Sequence, residues 1–321
     1  MRRFLAALFV LLCLSPGLVW RDLPLGGHSP QPLRIRPLQL GPATLLAPGV
    51  TVAGAWQLSS ASPSFGGYSS LIVLPEGELL ALSDRGQFLR FGMPTQLPMS
   101  AVSGPIAEAN DSDKWLFDVE AATRDPASGA IWLAYEGSNT IRRYGSELGS
   151  WQAVQPEEMR GWPTNRGPEA MVRLTDGRFI VLSEALADGP PPSAQGLLFP
   201  ADPVDGAAPE RFQFVPPDGF RPTDMAQLPD GRVVILLRRF RVGFSRWLAS
   251  RLVLADPATI AAGDSWDWEP LAEIRSPVPL ENYEGIAVEP RDGGAVRLWI
   301  ISDDNSAALQ RTLLLALDWK P

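Results

Sequence analysis

Five stretches of the chain repeat one pattern: a short polar opening, a few apolar residues, a turn rich in Pro, Asp and Gly, and a β-prone apolar run that closes on a polar side chain. They are FGGYSSLIVLPEGELLALSDRG from Phe65, LFDVEAATRDPASGAIWLAYEGSN from Leu116, NRGPEAMVRLTDGRFIVLSEA from Asn165, FRPTDMAQLPDGRVVILLRRF from Phe220 and NYEGIAVEPRDGGAVRLWIISDDN from Asn282. They start roughly 50 to 60 residues apart, the period of β-propeller blades. Each hairpin is followed by segments suited to outer strands, such as FLRFGM from Phe88, TIRRYG from Thr140, SRLVLAD from Ser250 and PLAEIRS from Pro270. The last hairpin is followed only by TLLLALDW from Thr312, one strand short, and VAGAWQLSS from Val52 can supply the missing strand. The pattern therefore predicts an all-β chain: a single β-propeller of five blades, closed by pairing the N- and C-terminal strands, or of six if one blade is degenerate. No long segment keeps a helical period, and the 32 prolines and 29 glycines are spread throughout. The connector ADGPPPSAQG from Ala187 reads as an excursion between strands, not a domain linker.

Antiparallel pairing puts the start of each hairpin beside its end, opposite the turn. One face of the propeller should thus carry an opening column, Ser69, Glu120, Glu169, Asp224 and Glu284, and a closing column, Asp84, Glu136, Glu184, Arg238 and Asp303. If the first strands line the central channel, these acids converge on its mouth, where like charges raise one another's pKa. Compensation can come from Arg85, Arg166 and Arg238, from Ca²⁺ held by oxygen ligands, or from a cationic ligand. Asp84, Glu120, Asp303 and Asp304 are the candidate metal ligands, Glu169, Asp224 and Glu284 the candidate catalytic acids, and Arg85, Arg166 and Arg238 the candidate substrate-binding groups. The competing reading is structural: each acid accepts backbone N–H groups of the next blade and stitches the two together. Tyr68, Phe117, Trp162 and Tyr283 read as packing between blades, Trp132 and Trp299 as core, and Ser69 as a structural residue at a strand start.

Composition narrows the chemistry further. A net charge of -8 with no long basic run argues against nucleic acid or an anionic membrane as partner. Cys13 is the only cysteine and His28 the only histidine, which excludes a disulfide framework, thiolate metal sites and histidine-based triads. Arg2, Arg3 and the apolar run Phe4 to Leu14 read as an export signal or N-terminal anchor over residues 1–20. Residues 21–48 then form a Pro-rich linker and 49–321 the propeller, a monomer in the periplasm or secreted, with no span beyond that anchor.

The ordered runs FGGYSSLIVLPEGELLALSDRG, NRGPEAMVRLTDG, RPTDMAQLPDGR, NYEGIAVEP with SDDN, and QRTLLLAL resemble the phytase-like family, "esterase-like activity of phytase", of secreted bacterial β-propellers. The resemblance runs from about Gly54 to Asp318. It implies hydrolysis of phosphate or carboxylate esters and, by analogy with β-propeller phytases, Ca²⁺ held by acidic residues. Its motif acids fall on Asp84, Glu169, Asp224, Glu284, Asp303 and Asp304, and its glycine-serine opening on Gly66, Gly67 and Ser69. This chain has no lysine-rich phosphate pocket; Arg85, Arg166, Arg221, Arg238 and Arg239 are the basic candidates, and arginine suits bidentate phosphate recognition. Two functions follow: a metal-assisted ester hydrolase, or a non-catalytic propeller that binds an envelope sugar, peptide or small molecule over the same bowl.

Overall fold

In the computed structural model, the described residues are 32–40, 44–94, 101–106, 118–187, 189–240, 248–305, 307 and 310–320. Cys13, His28, Phe117 and the apolar run at the N-terminus lie outside them. Five antiparallel sheets make five blades. Blade 1 is β4 (Tyr68–Leu74), β5 (Glu78–Ser83), β6 (Gln87–Gly92) and β7 (Ala101–Pro105). Blade 2 is β8 (Val119–Arg124), β9 (Ile131–Tyr135), β10 (Thr140–Tyr144) and β11 (Trp151–Val154). Blade 3 is β12 (Pro168–Arg173), β13 (Phe179–Ala187), β14 (Ser193–Phe199) and β15 (Glu210–Phe214). Blade 4 is β16 (Arg221–Gln227), β17 (Val233–Phe240), β18 (Leu248–Ala255) and β19 (Glu269–Ile274).

Blade 5 closes the ring as the sequence predicts. Its inner strands are β20 (Asn282–Pro290), β21 (Val296–Asp303) and β22 (Leu313–Trp319), and β22 pairs with β3 (Val50–Ser59) from the other end of the chain. Two short strands, β1 (Arg34–Pro37) and β2 (Leu45–Ala47), add to the far edge of β3. They fall inside the stretch expected to be a linker, so part of it belongs to the propeller sheet.

The packing explains why the second strand of each hairpin is a continuous apolar run. Side chains alternate between the two faces of a strand, and here each face meets a different neighbouring blade. In β13, Ile180 and Leu182 pack toward blade 4, whereas Phe179 and Val181 pack toward blade 2. In β17, Val234 and Leu236 face blade 5, whereas Val233, Ile235 and Leu237 face blade 3. The core is thus divided into five clusters, one at each blade interface. Each fully buried Leu, Ile or Phe contributes about 1.5–3 kcal/mol, so the repeated interfaces dominate the stability. Tyr68, Tyr283 and Trp162 are buried in these clusters, as are Trp132 and Trp299.

The turns on the opposite face follow their sequences. In TDGR and PDGR, the Leu174 and Leu228 N–H groups donate to the Arg178 and Arg232 carbonyls, the Leu174 and Leu228 carbonyls accept from the Gly177 and Gly231 N–H groups, and these glycines adopt φ of 93° and 95°. Only glycine takes that left-handed conformation without strain.

Candidate functional site

The site-bearing face is organised by one irregularity repeated in every blade. Each inner strand carries a bulge near its start, with one extra residue unpaired: Ser69, Glu120, Glu169, Thr223 and Glu284. A bulge re-aims a side chain away from the ladder, and in three blades that side chain is a glutamate. The column differs from the sequence expectation in blade 4, where Thr223 and not Asp224 is the extra residue. A slip of one residue along a strand moves a side chain to the other face, and RPTDMAQ offers two adjacent polar residues with nothing to rank them.

Asp224 belongs instead to the next position inward, where the other blades carry Ser70, Ala121, Ala170 and Gly285. All five inner strands crowd together there. A Cβ on Gly285 would lie 2.8 Å from the Ser70 carbonyl carbon and 2.9 Å from the Leu71 nitrogen. Asp224, fully buried, accepts hydrogen bonds from the Ile286 N–H of blade 5 (2.8 Å) and its own blade's Met225 N–H (2.9 Å). Burial pushes its carboxyl well above the usual range, opposed by these amides and that of Leu71. It is a stitch at the centre of the ring.

The closing column stands as read. Asp84, Glu136, Glu184, Arg238 and Asp303 each follow the residue paired just before the bulge. With the bulged glutamates they enclose a bowl of about 340 Å³, lined by Asp84, Asp118, Glu120, Glu136, Asn165, Glu169, Glu184, Arg238, Glu284, Asp303 and Asn305. Among the described residues, eight carboxylates therefore face one guanidinium.

The charges are unevenly arranged. Arg238 donates to Glu284, to Asn282 Oδ1 (2.8 Å) and to Glu184 Oε1 (3.2 Å), and its Nη2 lies 3.8 Å from Glu169 Oε1. Asn282 in turn donates to Glu284 Oε1 (2.7 Å). On the other side, oxygens of Asp118, Glu120 and Glu136, all from blade 2, lie within 4.8 Å of one another. Among the described residues neither Glu120 nor Glu136 has an ion pair; Glu136 accepts the Gly167 N–H of blade 3 at 3.0 Å. Burial, then repulsion from Glu169, Glu284, Glu136 and Asp118, drives the Glu120 carboxyl well above the usual range. Burial and Asp118 push Glu136 up to about 8. Glu169 is raised by burial, Glu184 and Glu136 against the pull of Arg238, and Asp303 by burial, Glu284 and Asp84. Glu284 is raised by burial although Arg238 opposes it.

Of the residues singled out from sequence, the bowl brings together Asp84, Glu120, Glu169, Arg238, Glu284 and Asp303. Asp304 lies outside it, its carboxylate accepting the Gly67 N–H (3.2 Å) and the Thr312 hydroxyl (3.3 Å), against the space a Cβ on Gly66 would fill. Arg85 and Arg166 are not among the lining residues; they lie beside it, 3.9 Å from Asp84 and 4.0 Å from Glu184. The Ser69 hydroxyl donates to the Val119 carbonyl and joins blade 1 to blade 2. Asp118 was not singled out; its signal is its place two residues before the bulged Glu120. Glu136 and Glu184 stand in the closing column but were not assigned a role. The oxygen-only donor set of the blade 2 cluster fits a hard divalent cation such as Ca²⁺.

The fold and this face define a five-bladed β-propeller with an acidic bowl at one mouth of its channel. The chain matches the family described as "Phytase-like: Esterase-like activity of phytase" over residues 63–306, and it belongs to that family. No curated protein matches it. Among solved structures, a thermostable family-43 glycoside hydrolase is similar at 11% identity and TM-score 0.50, covering 78% of this chain and 89% of that one. A protein of unknown function from Dyadobacter fermentans DSM 18053 is similar at 13% identity and TM-score 0.48, covering 85% and 100%. The PQQ-bound aldose sugar dehydrogenase of Streptomyces coelicolor is similar at 13% identity and TM-score 0.46, covering 90% and 100%. At these identities the likeness concerns the fold alone.

Proposed function

We propose that the protein is an exported, divalent-cation-dependent hydrolase of phosphate or other esters, with the acidic bowl as its active site. The observation that carries this reading is the blade 2 cluster, three carboxylates whose oxygens gather within 4.8 Å. Asp118, Glu120 and Glu136 would hold the cation, Ca²⁺ by the hardness of the donor set, with Asp84 and Asp303 also lining the bowl. Bound there, it would polarise an ester oxygen and acidify water.

The chain's own residues supply the remainder. Without the cation Glu136 is raised to about 8, so a cation bound there would displace its proton. Glu169 and Glu284 face the same space and serve as the acid–base groups, with Arg238 opposing their proton uptake. Arg238 is engaged by three glutamates, so an arriving phosphate meets Arg166, whose side chain is 53% exposed, and Arg85 at 27%. Asp224 supports this site from beneath without lining it.

The excess of carboxylates over guanidinium also favours a second reading, a non-catalytic bowl that binds a cationic ligand. Protein dialysed against chelator and assayed on p-nitrophenyl phosphate and p-nitrophenyl acetate separates the two. The hydrolase reading expects turnover that appears with CaCl2 and is lost in Glu120→Gln and Glu136→Gln. Calcium binding without turnover of either ester leaves the binding reading.

A further inference from the structure

Arg238 is the one position of the closing column that is not acidic, and its surroundings are built around its charge. Its Nη1 reaches Glu284 and Asn282 of blade 5, and its Nη2 reaches Glu184 and Glu169 of blade 3. The side chain is only 20% exposed, and the carboxylates it touches are 8–13% exposed. Both ends of the guanidinium are therefore committed inside the protein, and no N–H fork is left open toward the bowl for a planar anion. Gathered carboxylates holding a central positive charge are what an oxygen-ligated metal site looks like, except that this cation is covalently attached. In the blade 2 cluster, among the described residues, neither Glu120 nor Glu136 has an ion pair, whereas Arg238 binds its glutamates directly.

We propose that Arg238 is a built-in cation that occupies what would otherwise be a second metal position, so that the bowl accepts a single divalent cation, at blade 2. This rests on the blade 2 cluster being a cation site. It makes Arg238 a positioning residue: it fixes Glu284, Glu184 and Glu169 and sets the number of cations. It does not grip substrate.

The test is isothermal titration of chelator-treated protein with CaCl2, wild type against Arg238→Gln and Arg238→Lys. The expected count is one calcium for wild type and for Arg238→Lys, and two for Arg238→Gln, with calcium raising the melting temperature of Arg238→Gln more than that of wild type. If Arg238→Gln does not fold in chelator, Arg238→Gln combined with Glu184→Gln, which removes one negative charge with the guanidinium, is titrated instead with two again expected. A count that stays at one in the Gln variants overturns the inference and leaves the blade 2 site intact. Two calcium ions in wild type also overturn it. No calcium in wild type but one in Arg238→Gln upholds the role of Arg238 and removes the blade 2 reading. No calcium in either removes both.

Discussion

The two sides of the bowl hold similar carboxylates under opposite electrostatic regimes. Around Arg238, Glu169, Glu184 and Glu284 share a guanidinium that organises them whatever the solution contains, with Asn282 also bonded to Glu284. Around blade 2, Asp118, Glu120 and Glu136 face one another, and the protein compensates Glu120 and Glu136 by holding protons. The contrast teaches that an acidic cluster in a propeller is not one kind of thing. The half that encloses Arg238 is a structural element, and the half where Glu120 and Glu136 have no ion pair among the described residues is the one responsive to pH and to dissolved ions.

The largest effect should come from removing the built-in cation. Arg238→Met in chelator leaves the buried Glu169 and Glu284 and the half-buried Glu184 uncompensated, and breaking such a pair from one side costs about 3–5 kcal/mol. Urea denaturation reads the loss, which calcium should partly restore. An unchanged midpoint would mean that the two halves do not differ as described.

A broader effect is expected from pH. Glu136 is raised from its ordinary value of 4.5 to about 8 in the folded protein, so between these values the native state binds more protons than the unfolded chain. Stability in chelator should therefore fall as pH rises from about 4.5 to 8 and level off above it. Calcium, which needs ionised ligands, should bind more tightly as pH rises and flatten this slope. A melting temperature in chelator that climbs across this range contradicts the assignment.

Below these lies the centre of the ring. Asp224→Asn turns one amide-accepting oxygen into a donor, leaving a buried N–H unsatisfied at a cost of about 1–3 kcal/mol. Calcium affinity should not change, because Asp224 does not line the bowl. The smallest effect belongs to Glu120→Gln, which removes the need to hold a proton on a carboxyl whose pKa is raised and should stabilise the chelator-treated protein by about 1 kcal/mol while abolishing the gain from calcium.

Much of this was legible in the chain because it repeats. The five hairpins set the blade count, the closing strand from the N-terminus followed from one missing strand, and the closing column was correct in every blade because each ends at a strong apolar-to-polar boundary. The opening column was harder. Bulges shift register by one residue, and in RPTDMAQ that shift exchanges Thr223 for Asp224 across the two sides of a strand. Asp304 looked like part of an Asp-Asp-Asn ligand set, yet the backbone turns it onto Gly66 and Gly67. Asp118 has no counterpart in the other copies, where Gly67, Gly167, Arg221 and Asn282 precede the same paired residue, so repetition could not point to it. The partition of charge was equally hidden, since it depends on which blades Arg238 reaches between.

The most direct measurement is anomalous diffraction from crystals soaked in CaCl2. One cation peak against Asp118, Glu120 and Glu136, with Arg238 still bonded to Glu169, Glu184 and Glu284, is the predicted result. A peak among Glu169, Glu184 and Glu284 with the guanidinium displaced, or no peak in the bowl, would contradict it.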